Sequence, residues 1–189
     1  MIAWIYAAAI GFMLGLAGQP LLRAIQKNSH PPSRLGAKPL DRLPPLPGPG
    51  LAIMAVDARI CSPTAIDRNQ LDRLFTRVWG APKPNYEQVL ERSFAWVLVF
   101  RGGQLLGFAN VAWDGGPNYF LMDLSIDPSC AEDDQIFKGM IEAAVQRCQK
   151  EGGSVRIDAP EDLLQSFFQP LGFRRVTAGV IHLQKAATG

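Results

Sequence analysis

The sequence has few cysteines and histidines. Its 189 residues include three cysteines, which are widely spaced and form no CxxC pair, and two histidines. An odd number of scattered cysteines argues against a disulfide framework. So few sulfur and imidazole ligands also argue against a zinc site or another His-rich metal centre. We therefore expect no metal, and thiols that suit a reducing cytosolic environment.

The chain also lacks a large excess of charge of either sign. Its 19 basic and 17 acidic residues leave a formal net charge of +2, and the basic residues are dispersed. A nucleic-acid-binding protein needs a clustered basic surface to contact phosphates, so we expect no nucleic-acid partner. The length fits one ordinary domain with accessory segments.

The N-terminal segment 2–22 has no charged residue and is mostly apolar. It is long enough for a helix to cross about 30 Å of hydrocarbon. A cleaved signal peptide is the alternative, but the basic residues that normally precede its apolar stretch are missing. We therefore predict a transmembrane anchor helix within residues 1–27, with the bilayer as its partner. Because Arg23, Lys27 and Arg34 follow the segment, the N-terminus is expected outside and the C-terminal domain in the cytoplasm, a single-pass arrangement.

Small residues recur every four positions on the predicted anchor, at Ala7, Gly11 and Gly15. This spacing puts three small side chains on one helix face, where another transmembrane helix could approach closely. The alternative is that glycine and alanine are simply common in membrane helices. The spacing leaves a partner within the bilayer as one of two interpretations.

Residues 28–50 are rich in proline and glycine. Seven prolines and three glycines occur in this stretch, a density that holds neither a helix nor a central strand. We predict a semi-rigid, Pro-rich linker between the membrane and a domain at residues 51–189. A proline-rich ligand for a recognition module is the alternative.

Hydrophobic periodicity predicts alternating strands and helices in the domain. The expected order is a strand at 51–60, a helix carrying Leu71, Leu74, Phe75 and Val78 that ends at Gly80, a short helix from Asn85 to Arg92, strands at 95–100, 105–113 and 119–126, a helix over Phe137 to Cys148, a strand at 154–159, a short helix from Pro160 and a terminal strand at 173–184. In the strand at 119–126, alternation predicts Phe120, Met122, Leu124 and Ile126 on one face and Tyr119, Asp123 and Ser125 on the other.

This order of elements resembles the GNAT superfamily of N-acetyltransferases over roughly residues 51–184. The motifs that carry the likeness are Leu124-Ser125-Ile126-Asp127-Pro128 before the long helix and Phe167-Phe168-Gln169-Pro170-Leu171-Gly172-Phe173 near the end. The resemblance implies an α/β (α+β) fold, with a mixed central sheet flanked by helices. It also implies acetyl-CoA as cofactor, lying where the last meander strand and the strand after the long helix splay apart.

The resemblance further implies cofactor contacts on that strand and on the long helix, at Leu124, Ser125, Ile126 and Phe137. Gln135 and Lys138 are the nearest polar partners for a cofactor, and neither belongs to a matching motif. In the family, a glycine-rich turn at the start of the helix binds the pyrophosphate. This chain departs from that pattern, because residues 129–137 contain no glycine and include Glu132, Asp133 and Asp134. Carboxylates in a first turn stabilise the helix, but they also repel a pyrophosphate.

Asp123 is the candidate general base, since a carboxylate on this strand has that role in some relatives. The alternative is a half-exposed strand residue without a catalytic role. Phe168 occupies the position of a tyrosine that protonates the leaving thiolate in many family members, and without a hydroxyl it can only pack. His182, on the predicted last strand, is expected to face solvent.

Two functions are consistent with these observations. The first is a membrane-anchored, acyl-CoA-dependent N-acyltransferase. The second is a catalytically silent domain of the same fold that serves as an interaction or accessory subunit of a membrane protein complex. The missing glycines, the acidic turn and Phe168 favour the second function, whereas the family resemblance favours the first.

Overall fold

The computed structural model describes residues 42–44, 49–130 and 133–178 of the 189-residue chain. The predicted anchor with Ala7, Gly11 and Gly15, most of the predicted linker, and His182 lie outside the described residues. Within those three ranges, no helix is both long and apolar enough to cross a membrane.

Five strands form one mixed sheet. In spatial order they are β1 (Leu51–Asp57), β2 (Ala95–Arg101), β3 (Gln104–Trp113), β4 (Asn118–Ile126) and β5 (Ser154–Arg156). Neighbouring strands from β1 to β4 are antiparallel, while β5 runs parallel to β4. The predicted mixed sheet flanked by helices is therefore confirmed.

Three helices flank the sheet, and a shorter helical segment follows β5. They are α1 (Arg68–Trp79), α2 (Tyr86–Glu91), α3 (Asp134–Gln149) and α4 (Glu161–Leu163), which continues as irregular helical turns over Leu164–Phe168 and Gln169–Leu171. The carboxylate of Asp67 caps α1 by accepting the N–H of Asn69 at 2.9 Å. Gly80 ends α1 in the left-handed conformation, with φ 83°.

The helices cover opposite faces of the sheet. On the α3 face, Met140, Ile141 and Ala144 pack against sheet residues such as Ala109 and Leu121. On the α1/α2 face, the cluster contains Leu71, Leu74, Phe75, Tyr86, Trp96 and Phe108. Each helix thus buries one apolar face against the sheet, which gives a three-layer domain.

A β-bulge at Asp123 corrects the predicted alternation of β4. Asp123 and Leu124 together face the single residue Ala109 of β3, and Asp123 has φ 56°. Because one extra residue reverses the alternation, Phe120 and Met122 lie on the opposite face from Leu124 and Ile126. Buried Tyr119 likewise belongs to the α3 face, on the opposite side from Asp123 and Ser125.

Asp57 ends β1 three residues before the predicted boundary and ties the strand to α3. Its carboxylate accepts the backbone N–H of Arg59 at 2.9 Å, which turns the chain. It also pairs with Arg147 of α3, and Arg59 pairs with Glu151 at 2.8 Å. Arg147 stacks over the ring of Phe94, 4.5 Å from its centroid. This network connects one edge of the sheet to the last turn of α3.

The C-terminal part of the domain contains less strand than predicted. β5 ends at Arg156 instead of at the predicted residue 159. After Arg156 the chain leaves β4 and continues toward Pro160. Residues 173–178 form no strand, and the remainder of the predicted terminal strand lies outside the described residues. Arg174 and Arg175 interrupt the apolar pattern, and Val176 is 75% exposed, so this segment has little apolar surface to bury.

Candidate functional site

Strands β4 and β5 separate after a short paired stretch. Only Asn118–Phe120 of β4 and Ser154–Arg156 of β5 are paired. On the β5 side of β4, residues 121–126 have no strand partner in the described parts of the chain. The two strands therefore form an open wedge, as the family resemblance implies.

Gly153 fixes the narrow end of the wedge. The next N–H, that of Ser154, donates to the carbonyl oxygen of Pro117 at 2.8 Å. A Cβ atom on Gly153 would lie 2.1 Å from the same oxygen, and φ of Gly153 is 106°. Only glycine allows so close an approach in this conformation. The position of β5 beside β4 thus depends on a residue without a side chain.

Asp123 lies at the β4 bulge and has two partners from the α1/α2 side. Its Oδ2 accepts the phenol O–H of Tyr86 at 2.7 Å, and its Oδ1 pairs with the ammonium of Lys83. Its side chain is 19% exposed. The candidate base is therefore a paired carboxylate, and a substrate amine that approaches it would compete with these two partners.

Neither partner of Asp123 was expected from the sequence, because both come from the region around α2, about 40 positions away in the chain. Burial raises the pKa of Tyr86 far above its ordinary value, and the neighbouring charge of Asp123 raises it further. Tyr86 is consequently a neutral hydrogen-bond donor at every physiological pH.

The residues that follow Asp123 point to different sides of the sheet. Ser125 is fully buried; its Oγ accepts from Trp79 Nε1 and donates to the carbonyl of Asp123, both at 2.9 Å. Its side chain therefore faces α1. Leu124 and Ile126 are half-buried against the α3 face, beside the unpaired edge of β4. Of these three predicted cofactor contacts, Leu124 and Ile126 have side chains on the α3 side.

The start of α3 opens onto a cleft of about 550 Å³. The cleft is lined by Arg101, Ser129, Cys130, Asp133, Asp134 and Gln135. Arg101 comes from the end of β2, so the sequence offered no local pattern that connects it with this helix. Lys138 is on the outer side of α3, 3.8 Å from Glu142, and does not line the cleft.

The first turn of α3 does not fit the diphosphate of acetyl-CoA in the way that a glycine-rich turn would. The carboxylate of Asp133 already accepts the N–H of Gln135 at 3.1 Å, so one of the donors at the helix start is occupied. Asp133 and Asp134 add negative charge to the cleft, against the single guanidinium of Arg101. The charge of this cleft therefore disfavours the phosphates of acetyl-CoA.

Phe168 and the predicted contact Phe137 belong to an aromatic cluster. The centroid of the Phe168 ring lies 5.9 Å from that of Phe137 and 5.5 Å from those of Phe167 and Phe173. Phe168 is 1% exposed and Phe137 is 4% exposed. Both rings therefore pack between α3 and the helical segment after α4, which agrees with the packing role predicted for Phe168.

The three cysteines are buried, and Cys130 is the one that lines the cleft at the start of α3. In the described part of the chain, all three thiols are free, and no group of three or more His, Cys, Asp or Glu could hold a metal. Burial raises the pKa of Cys148 to about 11 and also raises that of Cys61. Neither of these two thiols is a nucleophile at neutral pH.

The structure has the fold of the GNAT family acetyltransferases. A GNAT family acetyltransferase from Streptococcus pneumoniae is 20% identical with a TM-score of 0.58, and the match covers 71% of this chain and 98% of that one. For a putative acetyltransferase from Deinococcus radiodurans the identity is 17%, the TM-score 0.55 and the coverage 74% and 92%. The aminoglycoside N-acetyltransferase AAC(6')-Iy, in complex with CoA, is 20% identical with a TM-score of 0.53, and the match covers 77% and 100%.

At these identities the likeness establishes the fold alone. No protein-family model matches the sequence, and no curated protein matches it.

Proposed function

We propose that the domain is a GNAT-type N-acyltransferase, which transfers an acyl group from a thioester to an amine. The observation that carries the proposal is the placement of Asp123. Asp123 lies at the β4 bulge, in the stretch of β4 that is not paired with β5, and its carboxylate contacts the amine nitrogen of Lys83. A site that holds an amine on the strand that borders the wedge has a place for each of the two reactants.

The expected chemistry is attack of a neutral amine on a thioester carbonyl. Unpaired N–H groups on the β4 edge would stabilise the developing oxyanion, and Asp123 or a water would take the amine proton. Collapse of the tetrahedral adduct would then break the C–S bond, and the thiolate would leave as the thiol after taking a proton from water. Aminoglycoside acetyltransferases, which act on amines, are among the similar structures. This likeness supports the proposed class of acceptor.

Two thioester donors are compatible with the proposed reaction, because the cleft at α3 is poorly suited to a diphosphate. Acetyl-CoA stays a candidate donor on the strength of the fold. A thioester on a pantetheine arm alone would use the wedge and avoid Asp133 and Asp134. Acetyl-CoA would therefore need the cleft at α3 to accept a diphosphate, whereas a thioester on pantetheine alone would not.

A catalytically silent interaction domain is the second candidate, and specific observations favour it. Asp133 caps the helix start, two carboxylates line the cleft, and Phe168 has no hydroxyl to protonate a leaving thiolate. Such a domain would keep the fold as a docking or accessory subunit of a membrane complex.

We further propose that the uncharged segment 2–22 anchors the protein in a membrane, with the domain on the cytoplasmic side. The support is the length of the segment and the basic residues Arg23 and Lys27 that follow it. Alkaline extraction of membranes tests the anchor: an integral protein stays in the pellet, whereas a protein in the supernatant would contradict the proposal.

The decisive experiment compares acetyl-CoA with acetylpantetheine, which carries the same thioester without the diphosphate, on the full-length protein. Binding is followed by melting temperature, and transfer by thiol release with a small primary amine as acceptor. Release with either donor that is lost in Asp123→Ala and kept in Glu142→Ala, an exposed control, would support the enzyme. If a folded protein neither binds nor releases thiol from either donor, the silent domain is the better account.

A further inference from the structure

The ammonium of Lys83 is enclosed by three aromatic rings. Its Nζ lies 5.2 Å from the ring centroid of Phe75, 4.8 Å from that of Trp79 and 5.6 Å from that of Tyr86. The carboxylate of Asp123 pairs with it. We call Phe75, Trp79, Tyr86 and Asp123 the cage.

The cage has the chemistry of a binding site for an alkylammonium ion. Ring faces within about 6 Å attract a cation, and the attraction grows when water is excluded. The carboxylate supplies the opposite charge and a hydrogen-bond acceptor, so an ammonium that carries N–H groups gains a charge-assisted hydrogen bond that a quaternary ammonium cannot form. Lys83 is 18% exposed, so the site is largely desolvated.

The rings keep their positions without help from Lys83. Phe75 belongs to α1 and Tyr86 to α2, and both are at most 3% exposed. Their rings contact each other edge to face, with a distance of 4.9 Å between the ring centroids. Both also contact the ring of Phe108 on β3, at 5.7 and 5.8 Å. The third ring, that of Trp79, is half-buried, and its Nε1 donates to Ser125 Oγ at 2.9 Å. The cage walls are therefore fixed by contacts that do not involve Lys83.

Lys83, in contrast, comes from the loop between α1 and α2. Gly80 and Asn85 flank this loop with φ of 83° and 55°. Its backbone is held by a hydrogen bond from the guanidinium of Arg68 to the carbonyl of Lys83 at 3.0 Å. The loop therefore supplies the occupant, while α1, α2 and β4 supply the site.

We propose that the cage is a binding site for free primary alkylammonium ions and that Lys83 is its tethered occupant. A ligand amine would enter beside Asp123 when the Lys83 side chain swings out. If the bound amine is also the acceptor of the acyl group, the acceptor is a primary amine on an alkyl chain. That part of the inference rests on the proposed function. The binding itself needs no acyl donor and can be measured without one.

The test is chemical complementation of Lys83→Ala in the full-length protein. n-Butylammonium carries the charge of the missing ammonium on a four-carbon chain, one carbon more than Lys83→Ala removes. We expect it to raise the melting temperature of the variant saturably, by roughly 3–5 °C at ten times its dissociation constant. n-Butanol and n-butyltrimethylammonium should give no comparable rise, because they lack the charge or the N–H donors.

Three matched variants define the result. Lys83→Met fills the cage with a neutral chain and should not respond, nor should Lys138→Ala, which removes an exposed lysine elsewhere. Adding Asp123→Asn to Lys83→Ala should abolish the response. If Lys83→Ala does not fold alone, recovery of folded protein when n-butylammonium is present during refolding becomes the readout.

Equal responses to n-butylammonium and n-butanol, or no response and no recovery, would overturn the proposal. These outcomes say nothing about thiol release, so the proposed acyl transfer stands or falls separately. If the protein transfers an acyl group but n-butylammonium does not stabilise Lys83→Ala, the proposed enzyme activity stands and the cage is not its amine site.

Discussion

Replacing Phe168 by tyrosine tests whether the missing hydroxyl is a lost catalytic group or a requirement of the core. Tyrosine would restore the residue type that many GNAT relatives carry at this position. In this structure Phe168 is 1% exposed, and its ring lies among those of Phe137, Phe167 and Phe173. Aromatic rings offer a hydroxyl only weak acceptors, so the added O–H would be buried without an adequate partner.

We therefore expect Phe168→Tyr to destabilise the domain and to add no activity. A buried hydroxyl without a partner costs about 1–3 kcal/mol, which corresponds to a melting temperature lower by roughly 3–8 °C for a domain of this size. The measurement is urea unfolding followed by circular dichroism, with thiol release assayed on the same samples. Phe167→Tyr is the matched control, because the half-buried ring of Phe167 lets a hydroxyl reach water, and its change should stay within about 0.5 kcal/mol.

The reasoning would be refuted if Phe168→Tyr were as stable as the wild type and released thiol faster. That result would require the tyrosine hydroxyl to reach the wedge between β4 and β5. It would also mean that the aromatic cluster is open to the reacting thioester in solution, and the argument for a silent domain would lose one of its supports.

Two further predictions concern the framework of the site. Gly153→Ala should lower the free energy of unfolding in urea by more than about 4 kcal/mol, because its Cβ would lie 2.1 Å from the Pro117 carbonyl oxygen. Gly152→Ala, with open space around it, should lower it by about 1 kcal/mol. Equal losses of stability in the two variants would contradict the close approach. Burial alone would raise the pKa of Asp57, but its hydrogen bonds, first those from Arg59 and then that from Arg147, hold the pKa below the ordinary value. Asp57→Asn should therefore lose about 3 kcal/mol at neutral pH, and its deficit should shrink only as pH falls below about 4, where the wild type loses the same stabilisation; a deficit that is constant with pH would contradict this.

The helices and the antiparallel strands could be predicted because their patterns are local. The α3 face carries Met140, Ile141 and Ala144 at helical spacing, and all three are buried as expected. Gly80 ends α1 as predicted, since a left-handed residue at that position favours glycine. In such elements the local sequence contains both the hydrophobic periodicity of the helix or strand and the residue that ends it.

The candidate site could be predicted only in part, because it depends on contacts that no local pattern encodes. The bulge at Asp123 adds one residue to β4, and an alternating pattern gives no sign of where an extra residue falls. Lys83 and Tyr86 reach Asp123 from the α1–α2 region, and Arg101 reaches the start of α3 from the far end of β2. The sequence thus indicated Asp123 through the family resemblance, while its partners came from the tertiary structure.

Whether the domain binds acetyl-CoA depends more on the charge of Asp133 than on the capped N–H of Gln135. Releasing a helix cap costs about 1 kcal/mol, which weakens binding only about fivefold. A carboxylate about 4 Å from a phosphate charge costs about 1 kcal/mol for each pair of charges even in water, and a diphosphate beside Asp133 and Asp134 makes several such pairs.

Asp133→Ser separates the two effects, because serine keeps a cap and removes the charge. We expect this variant to bind acetyl-CoA several-fold more tightly than the wild type in a calorimetric titration at low salt, and the advantage should shrink as salt screens the carboxylates. An unchanged affinity in a variant of wild-type stability would mean that the occupied helix start, and not its charge, excludes the diphosphate.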